Sequence, residues 1–522
     1  MKRLHAACFV AATVAIVWLY DYARVAELGP VSEHAWRQAD GASLALSYYE
    51  RGMRFFEPQV HNALRSGDGH AAAELPLLYY AAAGLYHVFG PDDALFRVLN
   101  FAVLLTGLFL FSRALLRWVD DVWLALFPPL FLLGSPLLAF YGFNFLPNTT
   151  ALGLLLIAAS LLLDFAATER LARFWAAAAV MACVSLLKVT FLVPFLAFVG
   201  AALLVSMRAG RTERPRGVPP LTHLVAATAV VLGASVAWYV WARDYNARHE
   251  STLFLLGPRP VWSFSLREIV AEIAFVARAR KLRGFDSGGT ILLVVTTWVV
   301  LRARSLPDVV KWTLRLALLG AVAYLALFFG QLHHHDYYLI DLLPCVALVL
   351  ALGVWVLKHE LPWIAQSSVV RLTLVLLVGA NLLRTDRILA KLYTLDSYRI
   401  PPAVVSLNKR DQLRAFLDDF GIGPDERVLV LGDESPNLSL YYLDRRGWTH
   451  RKRNLGPRAL AKYRAKGARY LVVLAPPRRT KTGGSPFPTA KPIALFDGRI
   501  QFYDLAPPPE KSESSRPRIV VH

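Results

Sequence analysis

Long apolar runs separated by short polar or charged segments dominate the first three quarters of the chain. Candidate runs lie near residues 5–20, 94–112, 122–141, 147–166, 173–188, 189–207, 221–242, 289–302, 309–331, 337–357 and 368–385. Most approach the roughly 20 residues that a membrane-spanning helix needs, so the pattern predicts eleven spans. The first run follows Lys2 and Arg3, as in a signal peptide. No small-residue cleavage site follows it cleanly and further runs come after it, so it reads as a span. The run Leu75–Gly90 is marginal in length, and charge parity decides its reading. Laid on the membrane surface as an amphipathic or re-entrant helix, it leaves the basic segments around Arg113/Arg117, Arg170/Arg173, Arg208/Arg211/Arg214/Arg216, Arg302/Arg304/Lys311 and Lys358/Arg371 on the side of Lys2 and Arg3. The short opposite segments 142–148 and 332–336 then carry no Lys or Arg. The positive-inside rule places the basic side, with the N-terminus, in the cytoplasm. Loops 21–74 and 243–288, and everything after about residue 386, fall outside.

Composition supports this and excludes other classes. Apolar residues make up 56% of the 522 positions and charged residues 18%, too greasy for a soluble protein and too apolar for a disordered one. The net charge of +19 does not require a nucleic-acid partner, because much of it sits in the short loops where Lys and Arg are expected. The second outer loop is nonetheless basic (Arg243, Arg248, Arg259, Arg267, Arg278, Arg280, Lys281, Arg283), which suggests lipid headgroups or phosphates on that face. The three cysteines, Cys8, Cys183 and Cys345, all lie in apolar runs and imply no disulfide framework.

From Pro401 the chain turns soluble in character. Asp411–Phe420 has helical spacing, and Arg427–Gly432 and Ala468–Leu474 read as short buried parallel strands. Leu438–Leu443 and Ala459–Ala465 read as helices, and Ile493–Leu495 and Ile500–Leu505 as closing strands. The alternation predicts a small α/β domain over 401–506, after a linker at 386–400 and before a Pro-, Lys- and Ser-rich tail at 507–522. No glycine-rich phosphate loop accompanies it.

The first outer loop holds the best chemical candidates. Trp36, Asp40, Leu44 and Tyr48 recur on one helix stripe, a pattern suited to a membrane surface. Spacing alone leaves Asp40 open to a plainer role, a charge at a helix start, and Glu74 to capping the helix that follows Pro76. Asn144 and Asn148 in FNFLPNTT, Lys188 in SLLKVTFLVPF, and His333–Tyr338 lie on the same predicted face. A lysine amid apolar residues snorkels to the interface or meets an anion. Adjacent histidines on one element do not converge on one ion, so interfacial aromatics are the plainer reading of that run, and no metal ligand is assigned.

Taken in order, these motifs resemble the GT-C membrane glycosyltransferases, in particular the bacterial branch related to protein O-mannosyltransferases and the lipid A aminoarabinose transferase. The resemblance rests on Asp40 in HAWRQADGASLALSYYERG, FFEPQV, Glu74 in ELPLLYYAAAGLYHVFG, Arg97 in DDALFRVLN, FNFLPNTTALGLLL, LLKVTFLVPF and HHHDYYLIDLLP, and covers about residues 1–385. The tail segment GDESPNLSLYYLDRRGWT also resembles outer-face domains of similar transferases. Two positions depart from the family pattern. Gly41 stands where relatives often have a second acid, and Leu75 where some have a base; Arg37 is the substitute candidate.

The resemblance implies a polytopic α-helical membrane protein of GT-C fold with a small C-terminal α/β soluble domain, in the bacterial inner membrane. It implies transfer of a sugar from a polyprenyl-phosphate donor to a hydroxyl acceptor on protein, lipid A or glycan, at the outer face and with inversion. Asp40 and Glu74 are then the catalytic carboxylates, and Arg37, Lys188, Asn148, His335 and Tyr337 the substrate-binding candidates. No cofactor is fixed by these residues, and a divalent metal stays open. Membrane lipids are expected partners and nucleic acid is not. The competing class is a transporter or flippase of lipid-linked sugars. Transporters place ionisable groups near the midplane and show internal repeats, whereas here the polar candidates share one face and no repeat is visible.

Overall fold

Each apolar run forms helix in the computed structural model, which describes residues 1–209, 214–255, 257–279, 284–394, 402–452, 455–474 and 492–505. Arg211, Arg280, Lys281, Arg283, linker residues 395–400 and the tail 507–522 lie outside the described residues. Among those described, eight helices are long and apolar enough to cross a membrane, and up to nine if a bent pair counts as one span. The bent pair is Val122–Leu133 and Pro136–Gly142, which turn by 76°. Pro128 and Pro129 lie inside the first helix and Pro136 begins the second, where its missing N–H costs nothing. Leu171–Leu187 and Ser287–Arg302 are shorter apolar helices, as is Leu77–Phe89. The chain is a multi-pass membrane protein.

Two compact units emerge, each assembled from separated segments. The first comprises Met1–Val25, Arg97–Trp241 and Gly257–Lys391 and is helical. Within it, Pro147–Thr168 packs on Leu171–Leu187, Leu192–Ala209 on Asp308–Leu327, and Ser287–Arg302 on Leu343–His359. Small residues let two of its helices touch backbone to backbone. A Cβ at Gly107 would sit 2.1 Å from the Gly153 carbonyl oxygen, and one at Gly153 would sit 2.6 Å from that of Val103. Gly107→Val should therefore lower the melting temperature of the detergent-solubilised protein, with an overpacking cost of about 1–3 kcal/mol. Unchanged melting would show that these helices separate without loss. The three cysteines are free thiols, as expected.

The second unit comprises Ala26–Phe96, Ala242–Leu256 and Leu392–His522. Its sheet has the order β2-β1-β3-β5-β4, with β1 Val428–Leu431, β2 Gly447–His450, β3 Tyr470–Leu474, β4 Ala494–Phe496 and β5 Ile500–Asp504. β1 is the parallel centre between β2 and β3, and its four residues are all buried, hence its unbroken apolar sequence. β5 and β4 close the other edge antiparallel. The loop joins this sheet. Asn62 bridges Gly447 in parallel, and the Ala63 N–H donates to the Gly447 carbonyl at 2.6 Å.

Candidate functional site

The helix Ala35–Glu50 carries the predicted stripe, but the stripe does not lie on a membrane surface. Asp40, Leu44 and Tyr48 are buried, and the helix packs on Leu77–Phe89 and Leu438–Leu443. Apolar spacing marks a face to be covered; here protein covers it. Asp40 is also not at the helix start, since the first turn contains no acid.

Asp40 is 1% exposed. Its Oδ1 accepts from Asn437 Nδ2 at 2.8 Å, and Arg37 Nη1 lies 3.9 Å from Oδ2, one helical turn back. The orientation of the Asn437 amide is fixed from its other end, where Oδ1 accepts the Asn62 N–H at 2.9 Å, so the NH₂ must face Asp40. Asn437 is itself held by the GDESPN turn. Asp433 accepts the N–H groups of Ser435 and Ser439, and Ser435 Oγ that of Leu438. Burial pushes the Asp40 pKa up to about 6, opposed by Arg37 and the Asn437 hydrogen bond and assisted by the Glu74 charge.

Glu74 does not cap the next helix. Pro76 stands at the cap with no side-chain cap bond, and Glu74 Oε1 instead accepts from Arg37 Nη2 at 2.8 Å and from the Tyr79 hydroxyl. Side chains of Arg37 and Glu74 are 14% and 15% exposed. Arg37 also lies over the Phe254 ring, 5.5 Å from its centre. Two carboxylates thus share one arginine.

In the helical unit, Lys188 ends the helix Leu171–Leu187, and its Nζ lies 4.8 Å from the centre of the Tyr338 ring. Nearby stands Asp341, a residue not singled out from the sequence: the Tyr324 hydroxyl that donates to the Tyr338 carbonyl at 2.9 Å also donates to Asp341. Asp341 is buried and accepts from Thr190 Oγ1 at 2.6 Å, Tyr324 at 3.1 Å and Asn148 Nδ2 at 3.2 Å. Asn148, Thr190 and Tyr324 therefore converge on one carboxylate. His335 stacks beside Tyr337 and Tyr338, with ring centres 5.3 and 5.8 Å away. Tyr337 is buried against Tyr141, which donates to Asp336. Arg97, fully buried, holds the FNF segment through the Phe143 carbonyl at 2.7 Å and the face of Phe145.

No protein-family model and no curated protein sequence matches the chain. Solved structures do. ArnT from Cupriavidus metallidurans in the apo state superposes with a TM-score of 0.59 over 95% of this chain and 97% of that one, at 13% identity. The same protein bound to undecaprenyl phosphate gives 0.57 over the same shares, at 14% identity. A variant of the arabinofuranosyltransferase AftD from Mycobacteria gives 0.51 over 97% of this chain and 41% of that one, at 14% identity. The chain has the GT-C fold. At these identities the likeness is one of fold, and the GT-C architecture covers the soluble domain as well as the helices. Sequence inspection missed Asn437 and Asp341; the GDESPN turn and the HHHDYYLIDLLP motif were their only signals.

Proposed function

We propose that the protein is a membrane glycosyltransferase that moves a sugar from a polyprenyl-phosphate donor to a hydroxyl acceptor at the outer face of the bacterial inner membrane, with inversion. The observation that carries this reading is Asp40, buried between Asn437 and the Arg37–Glu74 pair with its pKa raised to about 6. A base poised near the working pH combines ionisation with useful proton affinity. In this reading Asp40 takes the proton of the acceptor hydroxyl as that oxygen attacks the anomeric carbon. The bond from that carbon to the phosphate oxygen breaks, and polyprenyl phosphate leaves with its electrons. Glu74, partly exposed and pinned by Arg37 and Tyr79, orients the acceptor at the rim. The undecaprenyl phosphate bound to ArnT, a protein of the same fold, supports the donor class.

Lys188 is the proposed phosphate cation in the helical unit, with Asn148, bonded to Asp341, and with His335 and Tyr337 as further substrate contacts. Lys188→Ala should weaken binding of a polyprenyl-phosphate donor more than that of the acceptor, and Lys188→Arg should retain part of it, because Arg keeps the charge but changes its geometry. Equal donor affinity in all three proteins would reduce Lys188 to a snorkelling residue. The function itself is tested by mass spectrometry of cell-envelope glycans with and without the active protein, paired with transfer by the purified protein from a polyprenyl-phosphate sugar. A glycan lost in cells but not formed by purified protein would favour a transporter.

A further inference from the structure

Asp68, His70 and His249 each offer one ligand atom, and these atoms lie within 4.8 Å of one another. We propose that they form a zinc site that fastens the segment leading to Glu74 onto the end of the helix Leu221–Arg248. Two imidazoles and one carboxylate are the donor set that suits zinc, with a fourth position for water or the Tyr245 phenol. The carboxylate is aimed. Its Oδ1 is occupied by the Ser66 hydroxyl at 2.6 Å and the His70 N–H at 3.0 Å, which leaves Oδ2 facing His249 Nδ1 at 2.9 Å. The two imidazoles lie nearly parallel, ring centres 4.3 Å apart, so they are already gathered. Around them, Tyr245 meets His70 Nδ1, and Gln59 Nε2 lies 3.0 Å from His70 Nε2. On zinc binding, the proton shared by Asp68 and His249 leaves and the metal takes its place.

The position gives the site a purpose. His70 precedes Glu74 by four residues, and the intervening Ala71–Ala73 are buried. The same stretch is tied to the same helix by Asn246, whose side chain bonds both the N–H and the carbonyl of Ala72 at 2.7 and 2.8 Å. A metal there would fix the entry to Glu74 without touching the acids at Asp40. A second group, Glu50, His61 and Asp444, has similar spacing, but Arg414 lies 3.7 Å from its Asp444 carboxylate and opposes a cation. It serves as the control.

The test uses the full chain in detergent, with its affinity tag removed and metal stripped, titrated with zinc and separately with cobalt. One equivalent of zinc should bind, cobalt should give a tetrahedral absorption band, and zinc should raise the melting temperature. Losing an outer partner of a metal costs 10–100-fold in affinity, so His249→Gln and Asp68→Asn should each weaken zinc binding by at least about 100-fold. His61→Gln should bind as the wild type does. Size-exclusion profiles establish that each variant is folded, and His70→Gln provides a third ligand variant should one fail. No bound zinc in the wild type, equal binding by the Asp68 and His249 variants, or loss in His61→Gln alone overturns the site. Because binding and melting are read without substrate, this outcome is independent of the proposed transferase activity.

Discussion

Asp40→Asn is expected to lower turnover by about 10²–10⁴-fold, the usual loss for a missing general base, while donor binding survives. Asparagine keeps the size of the side chain and an oxygen to accept the Asn437 hydrogen bond. The same substitution should not weaken the fold at neutral pH. The raised Asp40 pKa means that the folded state binds this proton more tightly than the unfolded chain does. The associated stability is present below about pH 3.8 and is lost as pH rises through about 6. At pH 8 the wild type therefore carries an ionised buried carboxylate at a cost of about 3 kcal/mol, which the amide avoids. Asp40→Asn should melt at or above the wild-type temperature at pH 8, with the difference closing below pH 4. A dead enzyme that is equally or more stable separates lost chemistry from lost structure. Wild-type turnover with a polyprenyl-phosphate sugar would remove Asp40 from the mechanism, and a lower melting temperature at pH 8 would remove the argument for its destabilising charge.

The membrane helices were legible because lipid demands long apolar runs whatever the partners. Each run became helix, including the short ones at Leu171–Leu187 and Ser287–Arg302. The bend near Gly134 broke the run 122–141 that reads as one span, and Pro128, Pro129 and Pro136 were its sequence signal. In the tail, β1 and β3 were readable because a buried central strand must be apolar on both faces. β2, with the sequence GWTH, was not: it is four residues long, half buried, and joins the sheet through backbone bonds that any residue can make. The site was half legible. Asp40 and Glu74 stood out as acids beside aromatic and apolar helices. Their surroundings did not, because Asn437 lies 397 positions from Asp40 and Arg37 reaches 37 positions to Glu74. Hydrophobic period gives the face that must be covered but not what covers it, so the stripe Trp36–Tyr48 was assigned to membrane instead of to the helix Leu438–Leu443. The Asp68–His249 pair is likewise formed across 181 positions and has no signature along the chain.

The same environment makes a signed prediction about pH. If Asp40 must be ionised to accept the proton, kcat/KM should fall about tenfold per pH unit below a midpoint near 6, because the donor phosphodiester stays ionised throughout that range. The midpoint should then move in a direction set by each neighbour. Asn437→Ala removes a hydrogen bond that favours the carboxylate, so the acid limb should shift to higher pH. Arg37→Gln removes a favourable positive charge and should shift it the same way. Glu74→Gln removes a negative charge that resists ionisation and should shift it to lower pH, even as the maximum rate drops through loss of acceptor orientation. Opposite shifts for Asn437→Ala and Glu74→Gln cannot arise from a general loss of folding, which would lower the profile without moving its midpoint in two directions. An acid limb that stays in place in all three variants would mean that the titrating group is not Asp40, and the arrangement of Arg37, Glu74 and Asn437 around it would have to serve packing alone.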